Sequence, residues 1–211
     1  MNHPKPFVGC NVLSAAVAAA AISLSAPSAQ AQVLEEVIVT AQKREQNLQD
    51  VPIAVSAFTG DMLTQTGVQD VFELQANAPS LRVGQTQNAS TTTFGIRGVF
   101  TSSQNFGLDS SVGLYVDGVY RARQGSMINN LVDVASVEVL RGPQGTLFGR
   151  NTPAGAVSIF SVKPDFEGTG FIEGQVGDLD LISVSGAKSF SASDELAFRA
   201  TGFYTERDGF T

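Results

Sequence analysis

Side chains able to do covalent or metal chemistry are scarce in this 211-residue chain. It carries one histidine, His3, and one cysteine, Cys10. Both lie in the first 31 residues, which read as an export signal. Lys5 gives a basic start, Val12–Leu24 is a short Ala-rich apolar run, and Ala29-Gln30-Ala31 is a small-residue cleavage site. Ser14, Ser23 and Ser25 interrupt the run and Pro27 ends it, short of the about 20 apolar residues that a spanning helix needs. Cleavage after Ala31 would start the mature chain at Gln32, without His or Cys. Such a chain is a poor candidate for a disulfide framework, thiolate chemistry, a Ser–His pair, or zinc, copper or haem ligation. Asp109, Asp117 and Asp133 are dispersed, and no spaced carboxylates resemble a calcium loop. Catalytic residues, metal ligands and cofactors are therefore all expected to be none. The net charge of −7 and the absence of Lys or Arg runs argue against nucleic acid as a partner.

The densest set of special residues is Arg141–Ile159, RGPQGTLFGRNTPAGAVSI, with four glycines, two prolines and two arginines. Glycine permits tight turns and close backbone approach, and proline fixes φ. A phosphate loop would need G-x-x-x-x-G-K-[ST] between a strand and a helix. Here Arg150-Asn151 follows Gly149, and Thr152-Pro153 leads into a strand.

The elements that must position this segment read as follows. Gln32–Asp50 is an extended, mostly exposed leader, with Lys43–Asp50 as a linker. Ile53–Phe58 predicts a strand. Gly60–Gln65 predicts a short helix capped by Asp61. Gln69–Asn77 predicts a second helix, stopped by Pro79. Leu81–Gly84, Thr93–Arg97, Leu114–Tyr120, Val134–Leu140 and Ala156–Val162 predict strands. Three polar loops, Gln85–Thr92, Thr101–Ser111 and Ala122–Asn130, separate them. The mixture suggests an α+β domain with a small mixed sheet. Beyond Pro164 the period becomes a clean two over Phe171–Val176, Leu181–Phe190 and Leu196–Tyr204. In the last strand Leu196, Phe198, Ala200 and Tyr204 share one face, and Arg199, Thr201 and Thr205 the other. Such strands suit a membrane β-barrel or a half-buried soluble meander, and periodicity alone does not separate the two.

Four motifs in order, LEEVIVTA at Leu34–Ala41, GIRG at Gly95–Gly98, LYVDGVY at Leu114–Tyr120 and the Arg141–Ile159 segment, resemble the TonB-dependent outer-membrane receptors. The resemblance covers roughly residues 34 to 164. It implies an α+β plug domain with a small mixed four-stranded sheet, followed by the first three antiparallel strands of a truncated transmembrane β-barrel. The corresponding segments are a signal peptide (1–31), a TonB box and linker (32–50), the plug (51–164) and the first barrel strands (165–211). Three strands cannot close a barrel, so the chain is expected to be a fragment of a longer product.

The resemblance also implies roles. Glu35, Glu36, Val37, Ile38, Val39, Thr40 and Ala41 would add as a strand to the sheet of the periplasmic TonB protein. The residues alone favour a plain N-terminal strand of the domain's own sheet. Arg97, Arg141 and Arg150 would dock the plug on carboxylates of the barrel wall, which a planar guanidinium binds bidentately. Gln104, Asn105, Phe106, Tyr120, Arg121 and Arg123 would face the ligand. The implied function is outer-membrane import of a scarce small molecule, a ferric siderophore first and a carbohydrate or vitamin next. The rival is a stand-alone periplasmic binding module of plug type, for which amphipathic strands after Pro164 would have no purpose.

Overall fold

The computed structural model describes residues 37–40, 43–85, 92–101, 108–122 and 131–209. The export signal, Glu35, Glu36 and Ala41 of the leader, and Gln104, Asn105, Phe106 and Arg123 of the polar loops lie outside the described residues. Among the described residues no helix is long and apolar enough to cross a membrane, which says nothing of strands.

In chain order the elements are β1 (Ile38–Val39), β2 (Gln46–Asn47), a 3-10 turn (Leu48–Asp50), β3 (Val55–Thr59), α1 (Gly60–Gln65), α2 (Val71–Asn77), β4 (Leu81–Gln85), β5 (Thr92–Ile96), β6 (Val99–Phe100), β7 (Val112–Val116) and β8 (Val119–Tyr120). They continue with β9 (Val134–Arg141), α3 (Gly145–Phe148), β10 (Gly155–Ser161), β11 (Gly170–Gly177), β12 (Leu181–Ser193) and β13 (Leu196–Glu206).

The central sheet has five strands, ordered β3-β9-β10-β7-β8, where four were expected. It is mixed because β10 and β7 run parallel while the other pairs are antiparallel. The fifth strand arises because Leu114–Tyr120 is a hairpin and not one strand. Asp117 and Gly118 both take positive φ, 48° and 78°, with Val116 paired to Val119. That is a two-residue type I′ turn, for which Asp-Gly is a leading signal. Arg97-Gly98 does the same between β5 and β6, at φ 53° and 81° with Ile96 against Val99.

The first helix spans Gly60–Gln65 as the sequence suggested but has a different cap, and the second starts two residues later than expected. Thr59, extended and adjacent to α1, caps it by accepting from the Met62 N–H at 3.2 Å, in place of Asp61. Asp61 is already helical, where its charge still complements the helix N-terminus. Asp70 caps α2 by accepting from the Glu73 N–H at 2.7 Å, and the Glu73 carboxylate accepts in turn from the Gln69 N–H at 2.7 Å. The helix therefore starts at Val71 and not at Gln69.

Alternation along the central strands gives the sheet two buried faces. Val137, Val139, Val157 and Leu114 pack against Leu63, Val71 and Leu74 of the helices and against Leu81, Val83, Phe94 and Ile96 of the β4-β5-β6 sheet. The opposite face presents Leu140, Ala156 and Tyr115, and the leader covers it through Val37, Val39 and Leu48. The described leader is thus folded onto the domain, with Val39 1% exposed. Its alternate apolar residues find cover there that water does not give. The Lys43–Asp50 linker likewise holds β2 and the 3-10 turn.

The Arg141–Ile159 segment contains α3, a single turn that the sequence reading placed in a loop. Gly155 opens β10 at φ 152°, where a Cβ would lie 2.2 Å from the Leu140 carbonyl oxygen. No side chain fits that approach.

Strands β11, β12 and β13 form a separate three-stranded antiparallel meander. One of its faces carries Ile172, Val176, Phe190, Phe198 and Tyr204, all at least half exposed. Phe190 pairs with Phe198 and Val184 with Tyr204 across that face. Ser189, Arg199 and Thr201 lie on the other face, against the first domain.

Candidate functional site

Two constellations stand out, both organised around β9. The first is on the leader side. β1 pairs antiparallel with β2, Ile38 opposite Asn47 and Val39 opposite Gln46. This two-stranded unit is separate from the central sheet. Ile38 points to solvent at 60% exposure, whereas Val39 inserts among Tyr115, Leu140 and Ala156. Next to it, Thr40 donates twice to Glu138 Oε1, from its backbone N–H at 2.6 Å and its Oγ1 at 3.1 Å.

Glu138, 1% exposed, is the most deeply buried charged residue among the described residues. Its Oε2 has no hydrogen-bond partner there. Burial pushes its carboxyl above the ordinary range, and the two Thr40 bonds offset that in part.

An aromatic row continues this face. The Tyr120 and Tyr115 ring centroids are 5.6 Å apart, and the Phe148 ring meets Tyr115 edge-on at 5.0 Å. The Tyr115 hydroxyl donates to the Phe148 carbonyl at 2.6 Å, and Lys43 Nζ sits 5.8 Å from the Phe148 ring centre. Phe148 thereby ties the glycine-rich segment to the leader.

The second constellation joins the first domain to the meander. Arg199 of β13 grips Asp133, which lies just before β9, with Nε to Oδ2 at 2.7 Å and Nη2 to Oδ1 at 2.6 Å. The two side chains are 8% and 6% exposed. Thr201 adds a bond to Asp133 at 2.5 Å, and Arg199 Nη1 donates to Ser189 at 2.9 Å and to the Thr169 carbonyl at 3.4 Å. Ser189 donates in turn to Asp165 at 2.8 Å.

Asp133 adopts φ 59°, uncommon outside glycine though tolerated by Asp. Burial pushes its carboxyl up, but the bonds from Arg199 and Thr201 and the adjacent positive charge outweigh this, and the net direction is down. Beside the pair a cavity of about 650 Å³ lies between the two parts, lined among others by Asp61, Gln69, Asp133, Glu173, Gln175 and Arg199. Groups of His, Cys, Asp or Glu able to hold a metal ion are absent among the described residues.

A model of the TonB-dependent Receptor Plug Domain family matches residues 47–156, more than half of the chain. The chain belongs to the TonB-dependent receptors. The pesticin receptor of Yersinia pestis is 35% identical over 144 residues, which is 68% of this chain and 21% of that protein. The crystal structure of the ferric yersiniabactin uptake receptor FyuA from the same organism superposes with a TM-score of 0.66 at 33% identity, covering 72% of this chain and 24% of that one. The pyoverdine outer membrane receptor FpvA from Pseudomonas aeruginosa, bound to pyoverdine, shares the fold at a TM-score of 0.68 and 19% identity, covering 82% and 25%. The chain thus spans about a quarter or less of the length of these relatives, which are receptors and not enzymes.

Within the TonB-dependent receptor the residues singled out by sequence fall in different places. Val37, Ile38, Val39 and Thr40 lie on the leader-covered face of the plug. Arg97 is exposed at the β5–β6 turn, and Arg150 is exposed after α3. Arg141 is partly buried; its Nη2 donates to the Val55 carbonyl at 3.4 Å, and its buried Nε has no partner among the described residues. Tyr120 is half-buried in the aromatic row and accepts from Asn151 Nδ2 at 3.2 Å, and Arg121 beside it is exposed.

Sequence reasoning passed over Glu138, Tyr115 and Phe148, and mentioned Asp133 and Arg199 without pairing them. Glu138 did carry a signal, a charge inside the apolar run Val137–Leu140. The Asp133–Arg199 pair spans 66 positions and has none.

Proposed function

We propose that this chain is the N-terminal part of an outer-membrane importer of a scarce nutrient, a ferric siderophore in the first instance. The plug closes the pore, the leader box engages the periplasmic TonB protein, and β11–β13 begin the barrel wall in the outer membrane. The signal is cut after Ala31. The single observation that carries this reading is the plug–wall arrangement. The polar face of the meander is held on the plug by the buried Arg199–Asp133 pair, while its apolar face is left exposed. Apolar-out, polar-in strands are what a barrel in lipid requires. The siderophore assignment leans on relatives named for ferric yersiniabactin uptake and for pyoverdine. Carbohydrate or vitamin import remains the alternative cargo.

The partners are accordingly TonB, the outer membrane and an iron chelate. Arg141 and Arg150 are proposed to meet wall carboxylates, with Arg97 as a further candidate. Gln104, Asn105, Phe106, Tyr120, Arg121 and Arg123 are proposed to face the ligand. Calorimetric titration of the full chain with the C-terminal domain of a TonB protein tests the docking reading. Binding is expected for the parent and is expected to be lost in Ile38→Pro, which cannot complete a strand ladder. Equal binding by both would remove the box assignment. Growth on a ferric siderophore as the iron source, with and without TonB, tests the cargo.

A further inference from the structure

The inference concerns the apolar face of the meander and rests on reading β11–β13 as wall strands in the outer membrane. We propose that this face holds one zwitterionic phospholipid of the inner leaflet. An acyl chain lies over Gly186 and Gly202, the phosphate meets Lys188, and a headgroup ammonium faces the carboxylates at the end of the β12–β13 hairpin.

The acyl part follows from the shape of the face. Register aligns Ile172, Gly186 and Gly202 in one cross-strand row, and Gly174, Val184 and Tyr204 in the next. Between them lies a depression of about 280 Å³, with Gly186 and Gly202 as its floor and Ile172, Val184 and Tyr204 among its walls. Glycine weakens a strand interior and often marks the close approach of a ligand or another backbone. The fold itself does not require it at Gly202. The residue is not among those with positive φ, and a Cβ there would meet nothing within 4 Å. A larger side chain would only fill the depression, which is apolar and faces the lipid.

The headgroup part follows from Lys188. It stands on the same face, opposite Gly170 and Ala200 and one row from Gly186 and Gly202, and it is the single cation on that face of β11–β13. A lysine in such a place turns its ammonium toward the membrane surface. Lys188 does this: its Nζ donates to the carbonyl of Gly168, which precedes Gly170, so the ammonium leans toward the end that carries the Phe190–Phe198 pair. Aromatic residues gather at the membrane–water interface, where lipid phosphates also lie. One carbonyl leaves the ammonium with further donors, and a phosphate oxygen is the acceptor that a lipid offers at that depth. Carboxylates follow further out: exposed Glu167 where the chain enters β11, and exposed Asp194 and Glu195 in the turn between β12 and β13. From the bilayer middle outward the face therefore presents an apolar depression, a cation and carboxylates. A zwitterionic phospholipid presents an acyl chain, a phosphate and an ammonium in the same order, whereas a net-anionic headgroup would meet those carboxylates unpaired. Short turns lie on the periplasmic side of such barrels, which assigns this end to the inner leaflet.

The test is native mass spectrometry of the full-length receptor, titrated with phosphatidylethanolamine, phosphatidylglycerol and lipid A in turn. One phosphatidylethanolamine is expected to be held severalfold more tightly than either of the others. Lys188→Gln is expected to weaken that hold about tenfold, the scale of one charge-assisted bond, and Lys188→Arg to keep it. Gly202→Leu, which fills the depression, is expected to lose binding to a similar extent, and Val176→Leu, on the same face but outside the depression, to leave it unchanged. Should Gly202→Leu fail to fold, Lys188→Gln decides alone, because its side chain supports no packing in the plug. Equal retention by the parent and Lys188→Gln, or a preference for phosphatidylglycerol or lipid A, would overturn the site while leaving the wall reading intact. A full-length receptor that alkaline carbonate strips from outer membranes would instead remove the wall reading beneath it.

Discussion

Asp133 and Glu138 stand at the start and in the middle of the same stretch of chain, and each attaches the plug to something else. Asp133 is gripped by a guanidinium through two bonds of 2.6 and 2.7 Å, with Thr201 as a third donor. Glu138 faces no cation; it has Thr40 on one oxygen and no partner on the other among the described residues. A buried carboxylate paired with a bidentate arginine is hard to separate, because either partner left alone is an uncompensated charge. A buried carboxylate bound by neutral donors loses less on separation, because water replaces them. The plug therefore carries a charge-paired attachment to the meander and a neutral-donor attachment to the leader.

The largest way to break this contrast is to remove one member of the fixed pair. Asp133→Ala or Arg199→Met is expected to cost about 3 kcal/mol of stability in thermal or denaturant unfolding of the full chain. The double replacement Asp133→Leu with Arg199→Met should recover much of that loss, since neither charge is then stranded. A single replacement that costs under about 1 kcal/mol would mean that the pair is no stronger than a surface bridge.

Val39→Ala acts on the other attachment. It removes two buried methyl-sized groups, about 1.5 kcal/mol of docking. The cost should appear as leader mobility in spin-label spectra and leave the melting of the helix-covered face alone. Thr201→Val is smaller, about 1 kcal/mol, for one bond to a charged acceptor.

The finest test is pH, because the two carboxylates shift in opposite directions. The Asp133 carboxyl is lowered, so its contribution is complete above the ordinary carboxylate range and is lost as pH falls through its depressed value. The Glu138 carboxyl is raised by burial, so its contribution to stability is complete below that range and is lost as pH rises through the elevated value. Rising pH should thus weaken the region around buried Glu138, and strong acid should loosen the contact between the plug and the meander. Label mobility on the leader, followed alongside proteolysis at the plug–wall junction, would separate the two. Parallel pH profiles would end the comparison.

Much of this was legible because it rests on local rules. The alternation of Leu196–Tyr204 put Arg199 and Thr201 on one face and Phe198 and Tyr204 on the other, and the structure keeps that division. Asp117-Gly118 also carried its turn in plain letters, yet Leu114–Tyr120 reads as one strand unless that dipeptide is given its weight. With the turn comes β8, and with β8 the fifth strand. The cap of α1 and the start of α2 were off because capping depends on which residue is extended, and Thr59 and Asp70 are.

What the amino-acid order determined by itself was the family and the strand periods, properties of neighbours along the chain. What only the tertiary structure decided was which polar groups meet. Thr40 and Glu138 lie 98 positions apart, and Asp133 and Arg199 lie 66 apart. No local rule links residues at that distance. Sheet register and burial bring them together, and their surroundings shift the two carboxyls in opposite directions.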